Sequence, residues 1–238
     1  MTFLDRHPAL TPQDEAFLAA NPWIAKLYYD QARAVPFSPG SRHVEPTPPV
    51  IALYERLFSR TLRDSGAVPL CLAWHAPLDF ESAEAAVAEQ DAAEADRADK
   101  KEVEQKEGEI YLIPEITMAF DLGEGMRGYH GVAHGGIFGL LIDECVGNYL
   151  ALNQATSYTV EQGAFGQQKA QSLSKRLCGL GGTTAFTVGM DVRFFRKIDV
   201  PAAVVVRTWL GGYTGRIAGE DATHTCYDAI ATFTVYVL

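Results

Sequence analysis

A short segment between positions 134 and 143 combines residue types that are suited to acyl chemistry. His134-Gly135-Gly136 leads directly into an apolar run that carries the acid Asp143. If a helix begins near Gly135 or Gly136, its first backbone N–H groups have no partners within the helix and bind a developing negative charge. A carboxylate further along the helix can activate water. Together these groups suggest hydrolysis of an activated acyl group.

The helix that must position these groups is predicted from about Gly136 to Leu152. It is apolar nearly all round, which is typical of a buried helix. Seven residues advance a helix by about 10 Å. Gly136 and Asp143 of one chain are therefore too far apart to contact the same acyl carbon. A site built across a two-fold interface solves this problem. We therefore expect a homodimer or a dimer of dimers.

The first third of the chain reads as helical. Thr11 followed by Pro12 predicts a capped helix that ends near Ala20, where Asn21-Pro22 breaks it. A second helical stripe contains Trp23, Leu27 and Tyr28, and a third amphipathic helix is predicted over 51–58. These segments define a helical N-terminal extension over residues 1–66.

Residues 67–108 are expected to hold one strand and an acidic insertion. The strand is predicted over 68–74. The segment 81–109 has eleven acids, four bases and almost no large apolar residue, so it is either an exposed helix or a disordered insertion with too little apolar surface to dock firmly.

Residues 109–238 form the third predicted region, which is rich in strands. The predicted strands cover residues 110–113, 116–120, 184–198, 202–210 and 225–238. Glycines at 211–212 and the sequence at 219–221 are read as turns. The pattern predicts an α+β layout, in which an antiparallel sheet wraps round a long central helix.

Composition excludes several classes of function. The 238 residues carry a formal net charge of −10, of which the acidic segment 81–109 accounts for seven charges, so the rest is near balance and no basic patch favours nucleic acid. The four cysteines are scattered and the histidines lack metal spacing, so we expect no metal and no other cofactor.

The sequence does not predict a membrane span or a targeting signal. No apolar run reaches the roughly 18 residues of a membrane span. The N-terminus has neither a signal-peptide nor a transit-peptide pattern. The expectation is a protein with no membrane span and a cytoplasmic location, with a mitochondrial location as the alternative.

With these residues in view, the chain resembles the hotdog-fold acyl-thioesterases. The likeness is greatest to the phenylacetic-acid-type and 4-hydroxybenzoyl-CoA-type branch and to mitochondrial and fungal proteins related to thioesterase superfamily members four and five. It rests on His134-Gly135-Gly136 with Asp143 nine positions after the histidine, and it covers roughly residues 109–238. A second likeness is the segment from Thr187 to Arg196, which resembles the family strand that opens with a threonine and ends in an aromatic-basic pair.

The resemblance implies roles for individual residues. Asp143 acts as general base on water or attacks directly to form a mixed anhydride, and Gly136 or Gly135 donates its N–H to the thioester oxygen. Thr187 belongs to the active site. The distance in sequence from Asp143 to Thr187 is longer than in compact members, which we attribute to an insertion over 153–182 that shapes or covers the pocket.

Each of the other candidate site residues has two possible roles. His134 either helps to place the carbonyl or orients the turn through hydrogen bonds, and Glu144 is a substitute base. His130 either lines the pocket or contacts substrate. Arg193 and Arg196 either bind phosphates of coenzyme A or belong to a solvated strand face.

The leading functional hypothesis is hydrolysis of an acyl thioester carried on coenzyme A or on an acyl carrier protein. The alternatives are a non-catalytic acyl-thioester binder and a chain-release enzyme of secondary metabolism. A hotdog dehydratase or hydratase is disfavoured because its paired histidine and acid lie in a different motif, which this chain lacks.

Overall fold

The computed structural model describes residues 9–31, 34–39, 56–63, 66–98, 112–167, 173, 187, 189–214 and 228–237. The helices are α1 (Pro12–Ala20), α2 (Pro22–Asp30), α3 (Arg56–Ser59), α4 (Phe80–Ala98) and α5 (Gly135–Glu161), and the strands are β1 (Val35–Phe37), β2 (Leu70–His75), β3 (Glu115–Leu122), β4 (Ala202–Thr214) and β5 (Asp228–Val237). Short 3₁₀ turns cover Thr61–Arg63 and Glu124–Met126. The predicted α+β class is confirmed.

The chain divides into two compact units, which differ from the three regions expected from the sequence. The larger unit comprises residues 6–76, 115–149 and 185–238, and the smaller unit comprises 1–5, 77–114 and 150–184. All five strands and the first part of α5 belong to the larger unit. The smaller unit contains α4 and the rest of α5.

The sheet of the larger unit is an antiparallel meander. Its strands lie in the order β1-β2-β3-β4-β5, so each strand pairs with its neighbour in the chain. The strands predicted over 68–74, 116–120 and 202–210 are confirmed as β2, β3 and β4. The turn predicted at Gly211-Gly212 is wrong, because β4 continues through both glycines with a register shift between Leu210 and Gly212. Glycine in a strand accommodates such a bulge.

The N-terminal helices cover one face of this sheet. Thr11 and Asp14 form a capping box at the start of α1, and Pro22 ends that helix and begins α2, as the sequence predicts. Apolar residues from both helices form one cluster with alternate residues of the strands: Phe17, Leu18, Ile24, Tyr28, Leu70, Leu72, Trp74, Ala119 and Val205. The N-terminal helices are therefore part of the sheet's core.

The opposite face of the sheet is equally apolar. Cys71, Met118 and Phe120 alternate with the residues that face the N-terminal helices, and Met118 and Phe120 are fully buried. Cys71 lies close enough to Cys145 of α5 to raise the pKa of its thiol. The first part of α5 thus lies on this second face, where its buried residues recur at helical spacing: Phe138, Leu141, Ile142, Cys145 and Tyr149.

The helix α5 departs from its prediction in two ways. It continues to Glu161 instead of ending near Leu152, so the segment expected to be a loop from Asn153 onward begins as helix. It is also not buried all round, because Gly136, Asp143 and Gly147 are exposed. By length and composition alone α5 would be long enough to cross a membrane, a criterion that core helices of soluble proteins also meet.

Two predicted strands are not strands where the structure describes them. Leu112 and Ile113 form bends, and residues 189–198 are outside the sheet. Residues 110–111, 184–186 and 188 of these segments lie outside the described residues, as do residues 51–55, 215–227 and most of the segment 162–182. The apolar alternation near Met190 and Phe194 is directed at α5, as described below, and so does not mark a strand of the sheet.

The acidic helix α4 docks in the smaller unit despite its composition. Its small apolar residues Ala83 and Val87 are buried together with Leu112, Val160 and Leu173. The expectation that this segment has too little apolar surface to dock is wrong, because alanine and valine on one helical face are enough to meet larger partners.

A side-chain amide fixes the backbone of the smaller unit. Asn153 Oδ1 accepts from the N–H of Ile113 at 3.1 Å, and Asn153 Nδ2 donates to the carbonyl oxygen of Ile113 at 3.0 Å. Both residues are buried. One side-chain amide therefore satisfies both backbone polar groups of a buried residue that lies outside the strands.

Replacing Asn153 by alanine is expected to destabilise the protein by about 2–3 kcal/mol, because a buried N–H and a buried C=O lose their partners. Urea unfolding of Asn153→Ala measures this loss. Gln162→Ala, at an exposed position after the same helix, serves as the control and should shift the midpoint little. Equal midpoints for both variants would contradict the assigned role.

Candidate active site

The start of α5 is organised by His134. The helix begins at Gly135, and the N–H of Gly136 donates to Nδ1 of His134 at 3.1 Å. The carbonyl oxygen of His134 accepts from the N–H of Ile137 at 2.9 Å, and its own N–H donates to Met126. His134 therefore acts as an N-terminal cap, with Nδ1 as the acceptor of the hydrogen bond.

The loop before the helix is held closely against the segment that follows Arg196. Ala133 donates to the carbonyl oxygen of Ile198 at 2.7 Å, and Val200 donates to that of Gly131 at 2.9 Å. At the tip of this loop His130 has a positive φ of 47°, and its ring lies edge-on to Tyr129. His130 is exposed, away from the helix start that His134 caps.

Asp143 lies on the exposed face of α5, about two and a half turns after the cap residue His134. Its Oδ1 accepts a hydrogen bond from the hydroxyl of Thr187, 44 residues away in sequence. The hydroxyl restricts the orientation of the carboxylate and leaves its other oxygen available to water or substrate. The two residues that the sequence singled out separately are thus brought into direct contact.

Thr187, Met190 and Phe194 contact this exposed face in the order opposite to that of the helix residues they meet. Thr187 meets Asp143, Met190 Sδ lies 3.9 Å from the position a Cβ would take at Gly139, and Phe194 Cζ lies 3.5 Å from the corresponding position at Gly135. The three helix positions are four residues apart and therefore share one face. Two of these positions are glycines, and a Cβ at either would be in ordinary van der Waals contact with Phe194 or Met190.

Gly136 and Asp143 also belong to this face, since seven residues complete almost two turns. Their separation along the axis, about 10 Å, is too great for both to contact one carbonyl carbon within the same chain. The helix start and the carboxylate therefore form two half-sites on one surface.

Neighbouring ionisable groups are engaged elsewhere. The carboxylate of Glu144, the substitute base, accepts from Asn148 Nδ2 at 2.7 Å. Burial raises the pKa of the Cys145 thiol well above its ordinary value, and nearby Cys71 adds to the effect. Cys145 is therefore a neutral core residue and not a nucleophile.

The two arginines expected to bind substrate have different surroundings. Arg193 lies 3.5 Å from Asp191 in an exposed ion pair. Arg196 lines a cavity of about 340 Å³ next to Gly135, together with Phe194 and the apolar residues of the neighbouring loop. Only Arg196 is therefore close to the helix start.

Sequence reasoning missed the contacts of Met190 and Phe194 with the helix. The signal was present in the spacing of Gly135 and Gly139, which leaves a small-residue strip on one helical face. The alternation of Met190, Val192 and Phe194 was recognised, but it was assigned to a strand.

The described residues contain no group of three or more histidine, cysteine or acidic side chains arranged to hold a metal ion. Comparisons of the chain with protein-family models, with curated proteins and with solved structures found no match. The structure itself defines the class as an α+β protein, with an antiparallel sheet and a long helix on one of its faces.

Replacing His134 by alanine is expected to cost about 1 kcal/mol of stability, because the Gly136 N–H loses its acceptor. His134→Asn should recover most of this loss, since asparagine caps helices well. Urea unfolding measures both variants. If the asparagine variant is as unstable as the alanine variant, the imidazole does more than cap the helix.

Proposed function

We propose that this protein hydrolyses acyl thioesters as a hotdog-type homodimer. The observation that carries the proposal is the hydrogen bond from Thr187 to Asp143 on an exposed helix face. A carboxylate whose orientation is fixed by a hydroxyl is suited to act as a general base or as a nucleophile. The thioester carrier, coenzyme A or an acyl carrier protein, stays open at this point.

In the proposed reaction the substrate carbonyl oxygen accepts from the N–H of Gly135 or Gly136 at the start of α5. The helix dipole and the backbone donor favour the oxyanion that forms as the carbonyl carbon becomes tetrahedral. The N–H of Gly136 becomes available to substrate when the ring of His134 turns away from it. Positioning the cap in this way is the role we assign to His134.

Asp143 supplies the attack on the carbonyl carbon by one of two routes. As general base it takes a proton from water while the water oxygen bonds to carbon, the C–S bond breaks and the thiolate leaves to be protonated. As nucleophile its oxygen bonds to carbon and displaces the thiolate, and water then hydrolyses the mixed anhydride. Thr187 holds the carboxylate in either case.

The two half-sites of one helix are too far apart to act together, so the proposal pairs Gly136 of one subunit with Asp143 of the partner. The exposed face of α5 and the exposed rings of Phe194 and Phe195 support such an assembly, because isolated proteins seldom leave several large apolar side chains in solvent.

A second candidate is a non-catalytic acyl-thioester binder. It is favoured by the cap, because the N–H of Gly136 is already satisfied by His134. Such a protein would retain ligand binding and show no release of thiol.

Asp143→Asn is expected to lower thioester hydrolysis by about 10²–10⁴-fold, because asparagine still accepts from Thr187 but cannot take a proton or attack. Thr187→Val should lower kcat less, by about tenfold, since it frees the carboxylate without removing it. Release of free thiol from a panel of acyl-CoA and acyl-pantetheine esters measures both variants.

Glu144→Gln is the matched control for this measurement, because it removes the neighbouring acid on the same helix. Full activity of Asp143→Asn with loss of activity in Glu144→Gln would transfer the role to Glu144. Binding of the esters with no thiol release by the wild type would select the non-catalytic candidate.

The shared site predicts that two inactive variants complement each other. Gly136→Pro removes the donor N–H at a position in the first helical turn where proline is tolerated. After mixing and reassembly with Asp143→Asn, each mixed dimer holds one complete site, so about a quarter of wild-type activity should return. Thiol release and light scattering follow activity and mass.

If the mixed variants exchange subunits and no activity returns, the sharing of Gly136 and Asp143 between two subunits is wrong. A monomeric mass for the active wild type would also contradict the shared site.

A further inference from the structure

The cavity beside Gly135 is distinct from the pair of Asp143 and Thr187. It is an open cavity at the surface with a volume of about 340 Å³. Its apolar lining comes from Val132, Ala133, Phe138 and Ile198. All of these residues adjoin the helix start at which the proposed function places the thioester carbonyl.

Phe194 forms one wall of this cavity. Its ring lies over the α-carbon of Gly135, where a Cβ would come within 3.5 Å of Cζ, and its centroid is 5.9 Å from that of Phe138 in an edge-on arrangement. The neighbouring Phe195 is 92% exposed, whereas Phe194 is 57% exposed. Both phenylalanines line the cavity, and Phe194 is the one whose ring packs against Gly135 and Phe138.

The edge of the cavity is cationic. Arg196 and Lys197 both line it. Lys197 is paired with Asp199 at 3.0 Å, whereas Arg196 forms no ion pair with any residue in the described part of the chain. In a protein whose net charge is −10, an apolar cavity with an unneutralised guanidinium at its edge suits a ligand that has an apolar tail and an anionic group.

We propose that this cavity is the acyl subsite, that Phe194 limits the length of the acyl chain, and that Arg196 faces an anionic group of the ligand. The inference rests on the proposed function for the identity of the ligand. Shortening Phe194 would lengthen the cavity along the helix start, toward Gly139 and Met190.

Straight-chain carboxylates from butanoate to dodecanoate are suitable probes, because each has an apolar chain and one anionic group and needs no turnover. Calorimetric titration of the wild type should show affinity that rises with chain length up to a limit, the length beyond which added carbons no longer increase affinity. In Phe194→Ala this chain-length limit should move to longer chains, with a change of about tenfold or more in the ratio of long-chain to short-chain affinity. Tyr158→Ala, which shortens an exposed aromatic side chain of α5 outside the cavity, is the matched control and should keep the wild-type limit.

Arg196→Gln should weaken all chain lengths by the same factor, because it removes the charge without changing the apolar wall. Arg127→Gln, which removes an exposed arginine paired with Glu124 outside the cavity, should leave binding unchanged. A chain-length dependence in the Arg196→Gln effect would overturn its assignment.

Thiol release from acyl-CoA esters of the same lengths separates this inference from the proposed function. If the esters are hydrolysed and Phe194→Ala does not change the chain-length limit, the subsite assignment is wrong and the proposed hydrolysis is retained. If Phe194→Ala changes the limit for carboxylates but no ester is hydrolysed, the subsite assignment is retained and the proposed hydrolysis is wrong. Absence of binding and of hydrolysis at every chain length overturns both.

The other occupant of this surface would be a second copy of the chain. If Phe194→Ala and Phe195→Ala both shift the protein to monomers in light scattering and neither moves the chain-length limit, the cavity is part of a subunit interface and the subsite assignment is wrong.

Discussion

The packing of residues 189–198 on the exposed face of α5 underlies the arrangement of the candidate site. A Cβ at Gly135 would be in ordinary van der Waals contact with Phe194, and one at Gly139 with Met190, so these side chains lie close to the helix. The next position on the same face is Asp143, which accepts a hydrogen bond from Thr187. Apolar contact at two positions and a hydrogen bond at the third thus hold Thr187 beside the carboxylate.

The two faces of α5 have different roles. One face buries Phe138, Leu141 and Cys145 against the sheet, and the other carries glycines and an acid. The first face contributes burial energy of about 25 cal/mol per Å² of apolar surface. The second contributes little to stability and is therefore free to present polar groups and a backbone terminus to a ligand.

The sheet is apolar on both faces, which explains the N-terminal helices. A sheet that packed against α5 alone would leave Leu70, Leu72 and Trp74 in water, so α1 and α2 cover them. The smaller unit follows the same principle with fewer apolar atoms, and its buried peptide at Ile113 is satisfied by Asn153 instead of by a strand. Coverage of apolar surface and satisfaction of buried polar groups account for most of the described fold.

Local sequence determined the helices and strands whose signals lie within a few neighbouring residues. The capping box of Thr11 and Asp14, the break at Pro22 and the apolar run of β4 all follow from short-range chemistry. The helix start near Gly135 could also be predicted, because a histidine and two glycines precede a long apolar run.

Contacts between distant residues were decided only by the tertiary structure. The alternation around Met190 has the period of a strand, yet that period specifies only which side chains are apolar and not which surface they meet. The continuation of α5 to Glu161 depends on partners such as Leu112 and Leu173, which no local pattern reveals. The sequence by itself determined which groups are capable of chemistry, and the long-range packing decided which of them touch, because the free energy of burial depends on neighbours that are remote in the chain.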